Sequence, residues 1–208
     1  MRQIGLAGLL ITVGCASTSS VALDRPTVVP QVSATCAIFV VWPTTAPAAF
    51  HGNAGVAALD VESLVAHRIL EVVREQCPGG QLVRPTPATP VTVIPGYAAA
   101  MGGSRMTTYE LQAANSALEL GVNYLLVPTI EQWNQNRTDD PIGALITPRN
   151  RIAISLRLVR LHNPGVVGRV SFTNRSRITL NQSASRLLDD DFDAAVRALL
   201  GDQAARRQ

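Results

Sequence analysis

Ile152-Ala153-Ile154-Ser155-Leu156-Arg157-Leu158-Val159 is the stretch that decides the fold. Ile152, Ile154, Leu156 and Leu158 alternate with Ala153, Ser155, Arg157 and Val159, a period of two that predicts an antiparallel strand with one face on a core and the other uncovered. Asn163-Pro164-Gly165 then supplies turn chemistry, and Val166 to Thr173 is expected to return as the second arm of a hairpin. Upstream, Asn123 to Ile130 reads as a further strand. It is preceded by a helix whose start is marked by the capping-box spacing of Thr107 and Glu110 and whose end is marked by Gly121.

Further toward the amino terminus the pattern changes. Cys36-Ala37-Ile38-Phe39-Val40-Val41-Trp42 is a continuous apolar run stopped by Pro43, as suits a strand buried on both faces. Asp60 caps a helix in which Val61, Leu64, Val65, Ile69, Val72 and Val73 recur at helical spacing until Pro78-Gly79-Gly80. Gln81 to Arg84 is a short strand, and Pro85, Pro87, Pro90 and Pro95 make residues 85–106 a loop. A last helix covers Leu187 to Leu200, with Asp189, Asp190, Asp191 and Asp193 early, where the helix dipole favours them, and Gly201 after it. The expected fold is α/β: a β-α-β-α-β parallel core extended by an antiparallel hairpin, with the C-terminal helix packed on the sheet.

The first residues carry an address. Met1-Arg2-Gln3 is a charged start, Ile4 to Val13 is apolar, and Gly14-Cys15-Ala16 is a small-residue junction. Ten apolar residues rise about 15 Å as a helix, half the roughly 30 Å of a bilayer's hydrocarbon. Thr12-Val13-Gly14-Cys15 resembles the bacterial lipobox, which implies acylation of Cys15; Ala16 after it implies sorting to the outer membrane, facing the periplasm. The alternative is ordinary secretion with cleavage after Ser20-Val21-Ala22. The expected organisation is a signal peptide over 1–14, a flexible Ser-, Thr- and Pro-rich tether over 15–34, one folded domain over 35–201 and a disordered tail over 202–208. The membrane is then engaged through the N-terminal lipid.

Leu120-Gly121-Val122-Asn123-Tyr124-Leu125-Leu126-Val127-Pro128-Thr129-Ile130-Glu131-Gln132-Trp133, with the alternating strand after Arg151, resembles a widespread family of uncharacterised bacterial lipoproteins carrying a domain of unknown function. The order of elements is similar to the amino-terminal domain of TolB and the periplasmic domains of LpoB and CsgG. The resemblance implies a lipid-anchored module that binds envelope proteins, and it transfers no catalytic residue.

With Cys15 acylated, Cys36 and Cys77 remain as an even pair in an oxidising compartment. The proposed strand and helix bring both to one end of the unit, and a disulfide there would close a loop worth roughly 4 kcal/mol in the chain-entropy model.

Long loops follow each parallel strand: Pro43 to Leu59, Pro85 to Met106 and Trp133 to Asn150. Ligands of open α/β sheets sit beyond these strand ends. The expected partner surface is therefore Trp133, Arg137 and Asp139 with Phe50, His51, Asn53 and Tyr97. Trp42, at the end of the first strand, either joins this surface or caps the core at the sheet edge.

Other functions are disfavoured. The basic residues number eighteen, all arginine and dispersed, and rings are few, which argues against nucleic acid. His51, His67 and His162 show no ligand spacing, so no metal or cofactor is expected. There is no Gly-x-Ser-x-Gly elbow; an envelope hydrolase or transferase would need a histidine within hydrogen-bond reach of a nucleophile. The leading reading is a non-enzymatic protein-interaction or assembly module of the outer membrane. A homo-oligomer, or a subunit of a ring or secretion assembly, stays open beside it.

Overall fold

A computed structural model describes residues 17–24, 37–50, 58–85, 108–135, 150–162, 165–176 and 187–201. In chain order the elements are β1 (Ser17–Asp24), β2 (Ile38–Val41), β3 (Thr44–Thr45), α1 (Ala58–Gln76), β4 (Gln81–Val83), α2 (Thr108–Glu119), β5 (Tyr124–Gln135), β6 (Asn150–Arg160), β7 (Gly165–Ser176) and α3 (Asp190–Leu200). One mixed sheet runs β1-β7-β6-β5-β2-β4, with β3 continuing the line of β2 along β5. β2 is parallel to both β4 and β5, and β5, β6, β7 and β1 follow antiparallel. The expected α/β architecture is the one observed.

Two cores lie on the two faces. Ile152, Ile154, Leu156 and Leu158 of β6 join Val170 and Phe172 of β7 beneath α1 and α3. On the other face Phe39, Val41, Leu125 and Val127 pack against Ala113, Ala114 and Ala117 of α2. β2, buried at every residue, feeds both, which is why its sequence does not alternate. α1 carries the chain outward from β2 to the edge strand β4. α2 carries it back across β2 to β5, so two crossovers of opposite travel and the same hand place their helices on opposite faces.

The ends of α2 and α3 act as expected, whereas Asp60, expected to cap α1, lies inside its first turn because the helix already begins at Ala58. Gly121 ends α2 at φ +70°, where a side chain would be strained. Asp189 caps α3 by accepting from the Phe192 amide, and Gly201, at φ +99°, closes it. α3 therefore begins three residues later than its apolar pattern.

β1 departs from expectation. Ser17 to Asp24, read as part of a flexible tether, pairs residue for residue with β7 from Ser17↔Ser176 to Asp24↔Arg169. Ser and Thr dominate its first half, and a strand at a sheet edge needs only its backbone donors and acceptors to pair. Cys15, Cys36 and residues 25–34 lie outside the described residues, as does the tail.

α1 and α3 are joined by charge as well as by packing. Arg68 Nε and an Nη donate to the two oxygens of Asp193, each at 2.8 Å, and Arg197 donates to Glu75 at 2.8 Å. Burial pushes the Asp193 carboxyl above its ordinary value, and Arg68 offsets part of that. Because the folded value exceeds the unfolded one, ionising Asp193 costs stability once the pH rises past the unfolded value. Arg68→Ala should deepen this cost. We expect a loss of about 2 kcal/mol at neutral pH, at the low end for a broken buried pair because Arg68 is a third exposed. In acid, below the carboxylate range, chemical denaturation should show variant and parent equal, and a deficit independent of pH would refute the assignment.

Candidate functional site

Beyond the carboxyl ends of the parallel strands, the next helix after β2 is α1 on one face, and the next after β4 is α2 on the other. A crevice at such a divergence of neighbouring strands is where open α/β sheets place ligands. Its residues are the first to follow each apolar run. Trp42 ends β2 and Arg84 follows β4, with the guanidinium carbon 4.7 Å from the centre of the indole. The Trp42 amide donates to the Val83 carbonyl at 2.8 Å, fixing the two strand ends together.

Both helix starts reach into this crevice. Glu62, early in α1, accepts from the Trp42 indole N–H at 3.1 Å and from the Thr45 hydroxyl at 2.6 Å, one donor to each oxygen. Tyr109 opens α2, and burial, partly offset by Arg84, pushes its phenol up to about 12. Its hydroxyl is buried, with no hydrogen-bond partner among the described residues. His67 meets the edge of the Trp42 ring at 6.4 Å.

A gap in the β-ladder shapes the site. Val40 pairs with Leu126 and Thr44 with Thr129, so the outer strand advances four residues while β5 advances three. The extra residue falls at Val41–Pro43, opposite Pro128; neither proline has an N–H to offer, which suits both to an interrupted ladder.

Beside the crevice is a cleft of about 580 Å³, floored by Thr129, Ser155 and Ser171 and walled by Glu110 and Arg157. Glu110 is buried and ion-paired to Arg157. The floor belongs to the face of β6 that alternation predicts to be uncovered.

The residues expected to bind a partner fare differently. Trp133 is 0% exposed and sits in the main core, so the structure does not bring it to the surface. A register shift between Ile130 and Gln132 is the cause: it moves Trp133 opposite Ile152, onto the core face, where strict alternation from Ile130 would have turned it outward. The turn at 46–50 then covers it, Ala49 accepting from the Trp133 amide at 2.8 Å. Phe50 is half-buried against the same core. Arg137, Asp139, His51, Asn53 and Tyr97 lie outside the described residues. Trp42 is half-buried at the strand end beside Arg84. Arg84, Glu62 and Tyr109 escaped the sequence reading, although Arg84 stands one residue past an apolar strand, the signal that singled out Trp42.

Ser63 Oγ and His67 Nδ1 are 3.3 Å apart, but the same Nδ1 is 2.7 Å from the Ser63 carbonyl. A nitrogen that close to a carbonyl carries the proton and donates it, so it does not act as a base toward the hydroxyl. Among the described residues no group of His, Cys, Asp and Glu is arranged to hold a metal ion, and no helix is long and apolar enough to cross a membrane.

No protein-family profile matches the sequence, and no curated protein sequence does. Solved structures do. PelC from Paraburkholderia phytofirmans, a dodecamer, aligns with 89% of this chain and 99% of its own at a TM-score of 0.55 and 13% identity. Lipoprotein GNA1162 from Neisseria meningitidis aligns with 81% of this chain and 99% of its own, at 0.41 and 15% identity. The LpoB C-terminal domain from Salmonella enterica aligns with 67% and 82%, at 0.33 and 10% identity. At these identities the likeness to PelC is one of fold.

The two tryptophans should separate cleanly in stability. Trp133→Ala should lower the unfolding free energy by about 3–5 kcal/mol, as emptying a core site does, whereas Trp42→Ala should cost about 1–2 kcal/mol, because part of its area is already in water. Equal losses in urea melts would mean that Trp42 is as structural as Trp133.

Proposed function

We propose that the chain is an outer-membrane lipoprotein, acylated at Cys15, whose domain docks a protein of the cell envelope through the Trp42–Arg84 crevice and the loops around it. It is a binding module and not an enzyme. The reading of the leader is supported by β1. Cleavage after Ala22 would remove Ser17 to Ala22 and with them most of the strand that pairs with β7, whereas cleavage before Cys15 leaves β1 whole. The intended surface is supported by the pairing of exposed Arg84 over a half-buried Trp42, since arginine and tryptophan are the residue types that concentrate binding energy at interfaces.

A bond between Cys36 and Cys77 belongs to the same proposal. Cys77 is buried and disulfide-bonded, and it stands four residues before Gln81, the partner in register of Phe39, while Cys36 stands three residues before Phe39 in the sequence. An oxidising compartment is what such a bond requires.

A second reading has its own observation. The fold likeness to PelC takes in 99% of a chain that assembles as a dodecamer, so an assembly of copies of this chain, a ring among its forms, is the alternative partner.

One set of experiments tests both. Mass measurement of the mature amino terminus should find an acylated Cys15, and a product beginning at Leu23 would refute the anchor. A photo-crosslinking residue at Arg84 should give adducts in native membranes, and one at Leu120, exposed near the opposite end of the sheet, should not. Equal yields would reject the crevice, and adducts made only of this chain, with a sedimenting species far above 22.1 kDa, would select the ring.

A further inference from the structure

We infer that the domain does not float on a long tether but rests against the bilayer, with Arg151 and Arg175 on phospholipid headgroups. The inference rests on acylation of Cys15 and adds to it a geometry. Ser17, Ser176, Asn150 and Gln135 are partners in register across β1, β7, β6 and β5, so they form one row at one end of the sheet. Only Ala16 separates Ser17 from Cys15. Two peptide steps of about 3.8 Å each hold the two Cα atoms within roughly 8 Å, whatever conformation Ala16 takes. A lipid on Cys15 therefore brings that row of the sheet to the headgroup layer.

The next row inward carries the charge. Arg151 and Arg175 are cross-strand partners, and Arg175 is in turn the partner of Thr18. Both arginines are exposed, on the face opposite Ile152 and Asn174, which are buried. Neither has a carboxylate partner among the described residues, although Arg157 further along the same face is held by Glu110. Like charges directly opposite one another destabilise a sheet. Phosphate groups supplied by the membrane would turn that cost into attraction, and each arginine near an anionic surface adds about a fivefold gain in affinity. Among the described residues, Asp191 and Asp189 lie on the other face, accepting from Ser19 and Asn174 at the start of α3, while Glu131 stands further along β5, in the cleft with Arg157 and Arg169. The domain thus leans on its arginine face.

The test uses the acylated full-length protein in vesicles of phosphatidylethanolamine and phosphatidylglycerol, with a fluorophore on Ser20→Cys or Leu120→Cys and a quencher on the headgroups. Ser20 lies near the anchored row on the arginine side, and Leu120 near the opposite end. We expect at least fivefold stronger quenching at position 20. A Gly-Ser insert of about 20 residues after Ala16, reaching roughly 25 Å, should leave the quenching in place when both arginines are present and abolish it in Arg151→Gln/Arg175→Gln. The double variant should melt no lower than the parent, because repulsion is relieved. Equal quenching at both positions in protein shown by mass to be acylated overturns the inference alone, while a missing acyl group overturns the anchor and this geometry together. Shielding of position 20 in native envelopes but not in protein-free vesicles would assign the arginines to an acidic protein and also overturn it.

Discussion

The structure depends on the register of β6. Ile152, Ile154, Leu156 and Leu158 reach the core only because each sits opposite a fixed partner on β5 and β7, and a slip by one residue would exchange them for Ala153, Ser155 and Arg157. A slip of that kind would bury a guanidinium and expose four large aliphatic side chains, each worth about 2 kcal/mol on burial. The strand therefore has one acceptable pairing, and the positions of β5, β7 and, through β7, β1 follow from it. The same alternation leaves Ser155 and Arg157 on the side that α2 only partly covers, so the uncovered polar face is a consequence of building the core.

The crevice comes from a different constraint. β2 is apolar on both faces and must be covered on both, which α1 and α2 accomplish from opposite sides. The chain therefore continues from the joined ends of β2 and β4 to helices on opposite faces. Trp42 stands at these ends, held by Glu62 from α1 and covered by Arg84 from beyond β4. Pro43 and Pro128 interrupt the ladder at the same level. That interruption lies on the β5 side of β2, where neither residue has an amide proton to offer, while on the β4 side the Trp42 amide is bonded to Val83.

Much of this was legible in the sequence because it rests on local period and on caps. The alternation of β6, the apolar run of β2, the capping spacing of α2 and Gly121 each act within a few residues, and each element appears where those signals place it. What escaped depends on neighbours distant in the chain. β1 has the composition of a linker, and it is a strand because β7 offers a free edge to pair with. Trp133 reads as a loop-edge aromatic, and one extra residue at Glu131 returns it to the core. A bulge is a property of the paired strands, and the parity it changes is invisible in either strand alone. Arg84 and Tyr109 become a site only when α1 and α2 converge, and the remaining expected contacts fall outside the described residues.

Pairing β1 to its first residues also changes what the amino terminus can be. A long linker would let a domain sample every orientation above its lipid, and the surfaces it shows to partners would be unrestricted. With Ser17 already in the sheet, the strand direction becomes an orientation relative to the anchor: β5 points toward it, and so do β2 and β4, which are parallel to the same axis. The crevice at their carboxyl ends opens toward that side, set back along β5 by the stretch from about Pro128 to Gln135, roughly 20–25 Å at the rise of a strand. A partner reaching Trp42 and Arg84 would then approach from the layer next to the membrane and not from the far side of the domain. The edge-strand pairing that a linker-like sequence concealed is thus what joins the proposed anchor, the arginine face and the crevice in a single arrangement.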